Sequence, residues 1–375
     1  MKKNGLLANG VLWFGAAVSI AEIEAGCQIA GNWLALWTGH LFGGLLLFAV
    51  GLLGARARQG AMALTGDAFG AFGRGLFTTL NVLQLIGWTA VMIAQGASAL
   101  HALTGVAFPA VCVGLTVLVL VWTHFDLARA SVAAVVCVGL LAFLSSALTV
   151  KLTVAPAVAA AAVPRAPLGF WAAFEVSVAM PLSWLPLISD YTKDAERPVA
   201  ATAVSTGAYL LVSTWMFTLG MLIVTRGNAD LVACLSHVGG PAAVAGLGVI
   251  VLSTLTTTFM DIHSSGESVQ VLVKGLSPKV TGWCVGVIGC VLAIVGLMAR
   301  YCGFLYAIAS VFAPMAAVLL VAGLRRRRGS WLWNLFAWLV GSVVYQLSAA
   351  SPVGPTLTAL AVSAALALVP VDTRR

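Results

Sequence analysis

The sequence predicts an all-α membrane protein that crosses the bilayer about twelve times. Composition is the first observation behind this reading: 61% of the 375 residues are hydrophobic and 9% are charged, with a mean hydropathy of +1.03. A soluble globular domain does not have this balance. The second is that apolar runs of about 18 or more residues recur along the chain, each long enough to cross ~30 Å of hydrocarbon as a helix. They run continuously and do not alternate, which excludes barrel strands. The third is charge asymmetry. Of 20 basic residues, 16 fall at the termini or in even-numbered loops, and Lys151, Arg165, Arg226 and Arg300 fall in odd-numbered ones. The positive-inside rule then places both termini in the cytoplasm of a cell whose inner (plasma) membrane holds the protein.

In chain order, the expected spans cover 10–31, 33–55, 75–101, 106–125, 129–150, 168–189, 199–224, 241–268, 281–298, 301–323, 331–350 and 355–371. The first is too long, and carries too many acids, for a cleaved signal peptide. It contains the small residues Gly15 to Ser19, followed by Glu22 and Glu24. The third contains Asn81, Gln84, Trp88 and Gln95. An Ala/Pro-rich stretch at 152–167 reads as an extracytoplasmic linker between two five-span groups. The sixth holds Pro181 and Pro186 on either side of Ser183 and Trp184, so this helix should break or kink in mid-membrane. Freed backbone at that depth is tolerated where it lines a cavity or binds an ion. The extramembrane stretches 56–74, 151–167 and 225–240 are too short to fold alone. Four units follow: a first repeat over 1–151, the linker 152–167, a second repeat over 168–324, and the last two spans with a cytoplasmic tail over 325–375.

The basic residues are spread through loops, and the Arg325–Arg328 run reads as a topology anchor, so a nucleic-acid partner is not expected. Seven cysteines are scattered without a CxxC pair and read as packing residues. No disulfide framework, Walker, HExxH or dinucleotide motif is present in a plausible setting. Neither a cofactor nor an obligate protein partner is therefore expected; lipid and a small polar solute are.

The acids Glu22, Glu24, Glu175, Asp261 and Glu267 fall inside spans, where a charge is expensive and points to function by default. The eighth span is the most polar, with Ser253, Thr256 and Thr257 at i, i+3 and i+4 on one face. Hydroxyls there, with carbonyls of an unwound facing helix, would supply the about six oxygens that a hard cation prefers; hydroxyls that only pack between helices are the alternative. Asp261 lies one turn beyond Thr257, with no Lys or Arg expected at its depth, which favours a substrate or proton role over a structural salt bridge. Gln84 and Trp88 share a face of the third span. An amide beside an indole plane suits a planar heterocycle, through stacking and paired hydrogen bonds.

Trp13-Phe14-Gly15, Ser189-Asp190-Tyr191-Thr192 and the Thr-rich eighth span resemble the nucleobase–cation symporter family 1, over nearly the whole chain. The segments 17–24 and 184–191 look most like its hydroxymethylpyrimidine permease (CytX-like) branch. The resemblance implies a LeuT-type fold: two inverted five-helix repeats with broken first and sixth helices, then two further helices. It implies Na⁺ at the carbonyls of Gly15 and Val18 with Ser253, Thr256 and Thr257, and Ser19 as the polar residue beside that ion. It also implies a stacking role for Trp88. Two departures stand out: family members commonly carry an amide where this chain has Asp261, and their sixth-span aromatic lies nearer Met180 than Trp184. An acid accepts from an exocyclic amine while sharing a proton with a ring nitrogen, as an aminopyrimidine requires. The expected substrate contacts are thus Ser19, Glu22, Gln84, Trp88, Ser183, Trp184 and Asp261.

The expected function is import of a pyrimidine, foremost the thiamine precursor hydroxymethylpyrimidine, driven by Na⁺ or H⁺. Cytosine or another nucleobase, or an amine or amino acid held by the acids, are alternatives on the same fold. A polytopic membrane enzyme is the remote alternative, because the acids do not converge at one water–lipid interface.

Overall fold

The computed structural model describes residues 5–125, 132–154, 168–238, 240–273, 275–296, 301–325, 329–348, 351 and 353–370. Among these, fifteen helices follow one another without a strand. The first apolar stretch is two helices, α1 (Leu6–Ala17) and α2 (Ile20–Gln28), bent by 51° at a short break. Val18 and Ser19 are extended. The Ser19 hydroxyl accepts from the Glu22 amide at 3.2 Å and caps the new helix, satisfying one of its orphan donors.

Next come α3 (Trp33–Ala57) and α4 (Ala61–Thr104), which kinks at Gly70. The stretch 56–74, expected as a loop, is largely the first turns of α4. The Asp190 carboxylate accepts from the Ala61 amide at 3.0 Å and holds that helix end. Then follow α5 (Phe108–His124) and α6 (Val132–Val154). The linker expected at 152–167 falls almost wholly outside the described residues.

The sixth apolar stretch is α7 (Phe170–Ser183), a turn over 184–187, and α8 (Ile188–Thr192). Pro181 stays inside α7; the interruption comes after Ser183, where the backbone turns through Trp184 to Leu187 ahead of α8. Beyond it lie α9 (Pro198–Thr225), a short α10 (Leu231–Val238) within the stretch expected to be a loop, and α11 (Gly240–Leu272). The chain closes with α12 (Pro278–Ile294), α13 (Tyr301–Leu324), α14 (Trp331–Leu347) and α15 (Pro355–Leu368).

Among the described residues, five helices are long and apolar enough to cross a membrane, six if the bent pair counts as one. Five further apolar helices have 10–17 residues. The halves interlock around the two interruptions: α1 and α2 pack on α9, α3 on α7, and α4 on α11. Small residues permit the closest of these approaches. A Cβ at Gly26 would run into the Phe217 backbone, and one at Gly220 into that of Ile23, so α2 and α9 meet backbone to backbone.

Candidate functional site

The two interruptions face one cavity, walled by α2, α4, α7 and α11. Ser19, Glu22, Trp88, Ser183, Trp184, Thr257 and Asp261 line it, with Ala16, Ala21, Leu85, Met92, Met180 and Leu187. Six of the seven expected substrate contacts therefore converge. Gln84 stands behind the wall: its amide nitrogen donates to Asn81 Oδ1 at 2.8 Å and to the Ser183 carbonyl at 3.2 Å. That ties α4 to the end of α7, so Gln84 shapes the site without lining it. The free volume at the centre is about 20 Å³, on the scale of one water. An aromatic ring enters only if side chains move.

Two aromatic groups bound the space. Trp88 packs edge-on against Phe304, with centroids 5.3 Å apart, and lies 6.3 Å from Tyr301. Trp184 packs against Trp13 at 5.3 Å and Tyr209 at 5.9 Å. Both indoles are buried yet reach the cavity. Asp261 is 3% exposed, and its Oδ2 has no hydrogen-bond partner. A carboxylate oxygen left in that condition beside a cavity calls for a donor from a ligand.

The hydroxyls of α11 meet the last turn of α1. Thr256 Oγ1 lies 3.2 Å from the Gly15 carbonyl oxygen, and Thr257 Oγ1 3.4 Å from that of Ala16. Ser253 Oγ instead donates to the Ile250 carbonyl at 3.1 Å within its own helix. The α1 carbonyls are exposed to these partners because the helix stops there and leaves them without intrahelical donors. Hydroxyl and carbonyl oxygens are the donor set that Na⁺ uses. Val18, in the break, sits just beyond this cluster, and Ala16 enters it although the sequence reading passed it over.

The five span acids part company. Glu22, 1% exposed, accepts from the Tyr209 hydroxyl at 2.6 Å and from Ser213 at 2.8 Å. Glu175 accepts from the Thr356 amide at 3.0 Å, the Thr356 hydroxyl at 2.6 Å and the Tyr345 hydroxyl at 3.3 Å. It therefore caps α15, a structural duty, and the default that a membrane acid is functional fails for it. Glu267 pairs with Lys193 at 3.3 Å, both partly exposed. His263 stacks on Phe259, with ring centroids 5.6 Å apart. His40, Tyr209 and Ser213 were missed. The available signal was a histidine inside the otherwise apolar 33–55 stretch.

No family model and no curated protein matches the sequence. Solved structures do. Mhp1, a nucleobase-cation-symport-1 family transporter in a closed conformation with bromovinylhydantoin bound, is 19% identical, with a TM-score of 0.78 over 97% of this chain and 91% of that one. Its inward-facing conformation gives 17% and 0.73, covering 97% and 89%. A Na⁺-coupled sialic acid symporter, in a substrate-bound outward-open state, gives 12% and 0.68, covering 97% and 88%. MhsT in complex with L-phenylalanine gives 13% and 0.59, covering 96% and 97%. At such identities the likeness speaks for architecture alone: the chain has the LeuT-type fold of these transporters.

Proposed function

We propose that the chain is a secondary active symporter that imports a pyrimidine, foremost hydroxymethylpyrimidine, with Na⁺ as the coupling ion. The single observation that carries this reading is the partnerless Asp261 Oδ2 in a buried cavity beside the Trp88 ring. An aminopyrimidine offers a flat face to the indole, and an amine with a ring nitrogen to the acid. The fold likeness to Mhp1 supports membership of the nucleobase–cation symporter family, and the segments 17–24 and 184–191 support the hydroxymethylpyrimidine branch. In this reading two inverted repeats, 1–151 and 168–324, rock about the interrupted first and sixth helices, and 325–375 adds two flanking spans and a cytoplasmic tail. Na⁺ is held by carbonyls around Gly15 and Val18 with Thr256, Thr257 and Ser253. Ser19, Glu22, Ser183 and Trp184 complete the substrate site, and Gln84 braces it.

A second reading follows from another observation. Two acids, Glu22 and Asp261, line the cavity, and no Lys or Arg does, which suits a cationic amine or amino acid. A thermal-shift screen of the purified protein against pyrimidines, purines, amino acids and amines, in Na⁺ and in choline, separates the two. A ligand that binds the folded state raises its melting temperature by mass action. Stabilisation by hydroxymethylpyrimidine in Na⁺ alone is expected. Stabilisation by amines and not by pyrimidines overturns the first reading in favour of the second.

A further inference from the structure

A buried polar chain starts at Glu22 on the cavity wall and leads away from it, and its members beyond Glu22 do not line the cavity. Glu22 accepts from Tyr209 and Ser213; Ser213 Oγ lies 2.7 Å from His40 Nε2. His40 Nδ1 lies 2.8 Å from Ser177 Oγ, which in turn reaches the Leu36 carbonyl at 2.9 Å. Every link joins residues far apart in sequence, from α2 through α9 and α3 to α7. His40 is 2% exposed, and Ser177 and Ser213 are fully buried. A cluster of this polarity in an apolar bundle is costly to bury without a use.

We propose that Glu22 is a proton-binding site, loaded from the cavity and held in both charge states by Ser213 and His40, so that a proton is a second coupling ion. Ionised, the Glu22 carboxylate accepts from both hydroxyls. Neutral, it still accepts from Tyr209, and its new O–H bond points to the cavity or to Ser213. A serine hydroxyl has one hydrogen and turns to either neighbour. An imidazole held between two hydroxyls takes whichever tautomer leaves each contact with one donor. No donor is orphaned in either state, and the two states differ by one proton exchanged with cavity water. Glu175 contrasts with this, since its partners are three donors at a helix end and none links it to a further titratable group lining the cavity. The far end of the chain closes on a helical carbonyl, so the arrangement stores a proton and does not conduct one.

The titratable groups around Glu22 are few. Tyr209 approaches from α9, His40 from α3 behind Ser213, and Asp261 faces it across the cavity from α11. Tyr301 comes from α13, its hydroxyl donating to the Ala21 carbonyl at 3.2 Å. Glu24 shares α2, and the cavity walls given by α4 and α7 are apolar, aromatic or hydroxyl.

This inference deepens the transport reading of the same cavity, but its test needs no substrate. Infrared difference spectra of the full-length purified protein, recorded between about pH 5 and pH 9, report the C=O stretch of a neutral carboxyl. A titrating component absent from Glu22→Gln and retained in Asp261→Asn is expected. Ser213→Ala keeps the carboxyl, removes its link to His40, and should move the midpoint by about one pH unit. An unchanged component in Glu22→Gln overturns the proposal. Should that variant not fold, a Ser213→Ala titration superimposable on the wild type overturns it equally. In proteoliposomes with equal Na⁺ on both sides, an inward proton gradient should drive uptake of labelled hydroxymethylpyrimidine. Failure there while a Na⁺ gradient still drives uptake overturns the coupling claim; failure under both gradients, with the infrared component intact, strikes the substrate assignment and leaves the proton site standing.

Discussion

Replacing Asp261 by Asn exchanges one carboxyl oxygen for an amide nitrogen at nearly constant shape, so the substitution tests chemistry with little disturbance of packing. The residue is buried, and its Oδ2 has no partner within the protein. In the proposed reading an aminopyrimidine supplies that partner, sharing its ring-nitrogen proton with the acid. In the variant the amide N–H faces that ring N–H, and a buried donor–donor mismatch of this kind costs about 1–3 kcal/mol, or about 5- to 150-fold in Kd. Cytosine, whose 2-oxo ring is less basic and keeps that nitrogen unprotonated as an acceptor beside its amine, is spared the mismatch and should bind about as well as before. Equilibrium binding of hydroxymethylpyrimidine and cytosine to both proteins at saturating Na⁺ gives the ratio directly. A ratio that moves towards cytosine by about tenfold or more is expected. An unchanged ratio would refute the reasoning and leave Asp261 without a part in reading the ring.

Three further outcomes follow from the same geometry. Trp88→Ala should weaken substrate binding by more than about 1 kcal/mol, and Trp88→Phe by less, because a π-face survives; equal losses in a binding titration would make Trp88 a space-filler. Thr257→Ala removes the hydroxyl that meets the Ala16 carbonyl. It should weaken Na⁺ activation by about 1–3 kcal/mol, passing only part of that loss to the substrate through linkage; substrate binding equal in Na⁺ and choline for the wild type would remove its basis. Glu175→Gln turns one acceptor of the Thr356 and Tyr345 donors into a donor, and should lower thermal stability by about 1–3 kcal/mol while folded protein keeps its substrate affinity. A selective loss of affinity with unchanged melting would return Glu175 to the functional acids.

The class of fold was legible because hydropathy and loop charge are properties of whole segments, insensitive to any one contact. The break in the first span was legible for a local reason: the small residues Gly15 to Ser19 precede Glu22 and Glu24. The sixth-span interruption falls at Pro186, within the stretch that its two prolines marked. Pro181 remains within α7 because a proline forfeits only one amide bond and its neighbours absorb the bend, whereas Trp184 to Leu187 form the turn. Third-span polarity misled about Gln84. Sharing a helix face with Trp88 says where a side chain starts, not what it meets, and Asn81 and the Ser183 carbonyl claim its amide. Glu175 and His40 erred in opposite directions. Each owes its role to a partner more than 100 residues away, Thr356 in one case and Ser177 and Ser213 in the other, and no window of sequence contains such a pair.

The break between α1 and α2 joins the two proposed sites, one for the ion and one for the proton. Its first side presents the carbonyls of Gly15 and Ala16 to Thr256 and Thr257; its second side presents the Ser19-capped turn that carries Glu22. Any ligand that draws those carbonyls towards α11 changes the angle at Val18 and Ser19, and with it the position of Glu22 against Tyr209 and Ser213. Two extended residues are a short enough tether that the ion end and the acid end cannot relax independently. Coupling in the proposed mechanism requires no long pathway through the protein. It requires a hinge whose two lips bind different things, each favouring one angle, which is the differential affinity that a population shift demands. The tight α2–α9 contact at Gly26 and Gly220 anchors the second lip.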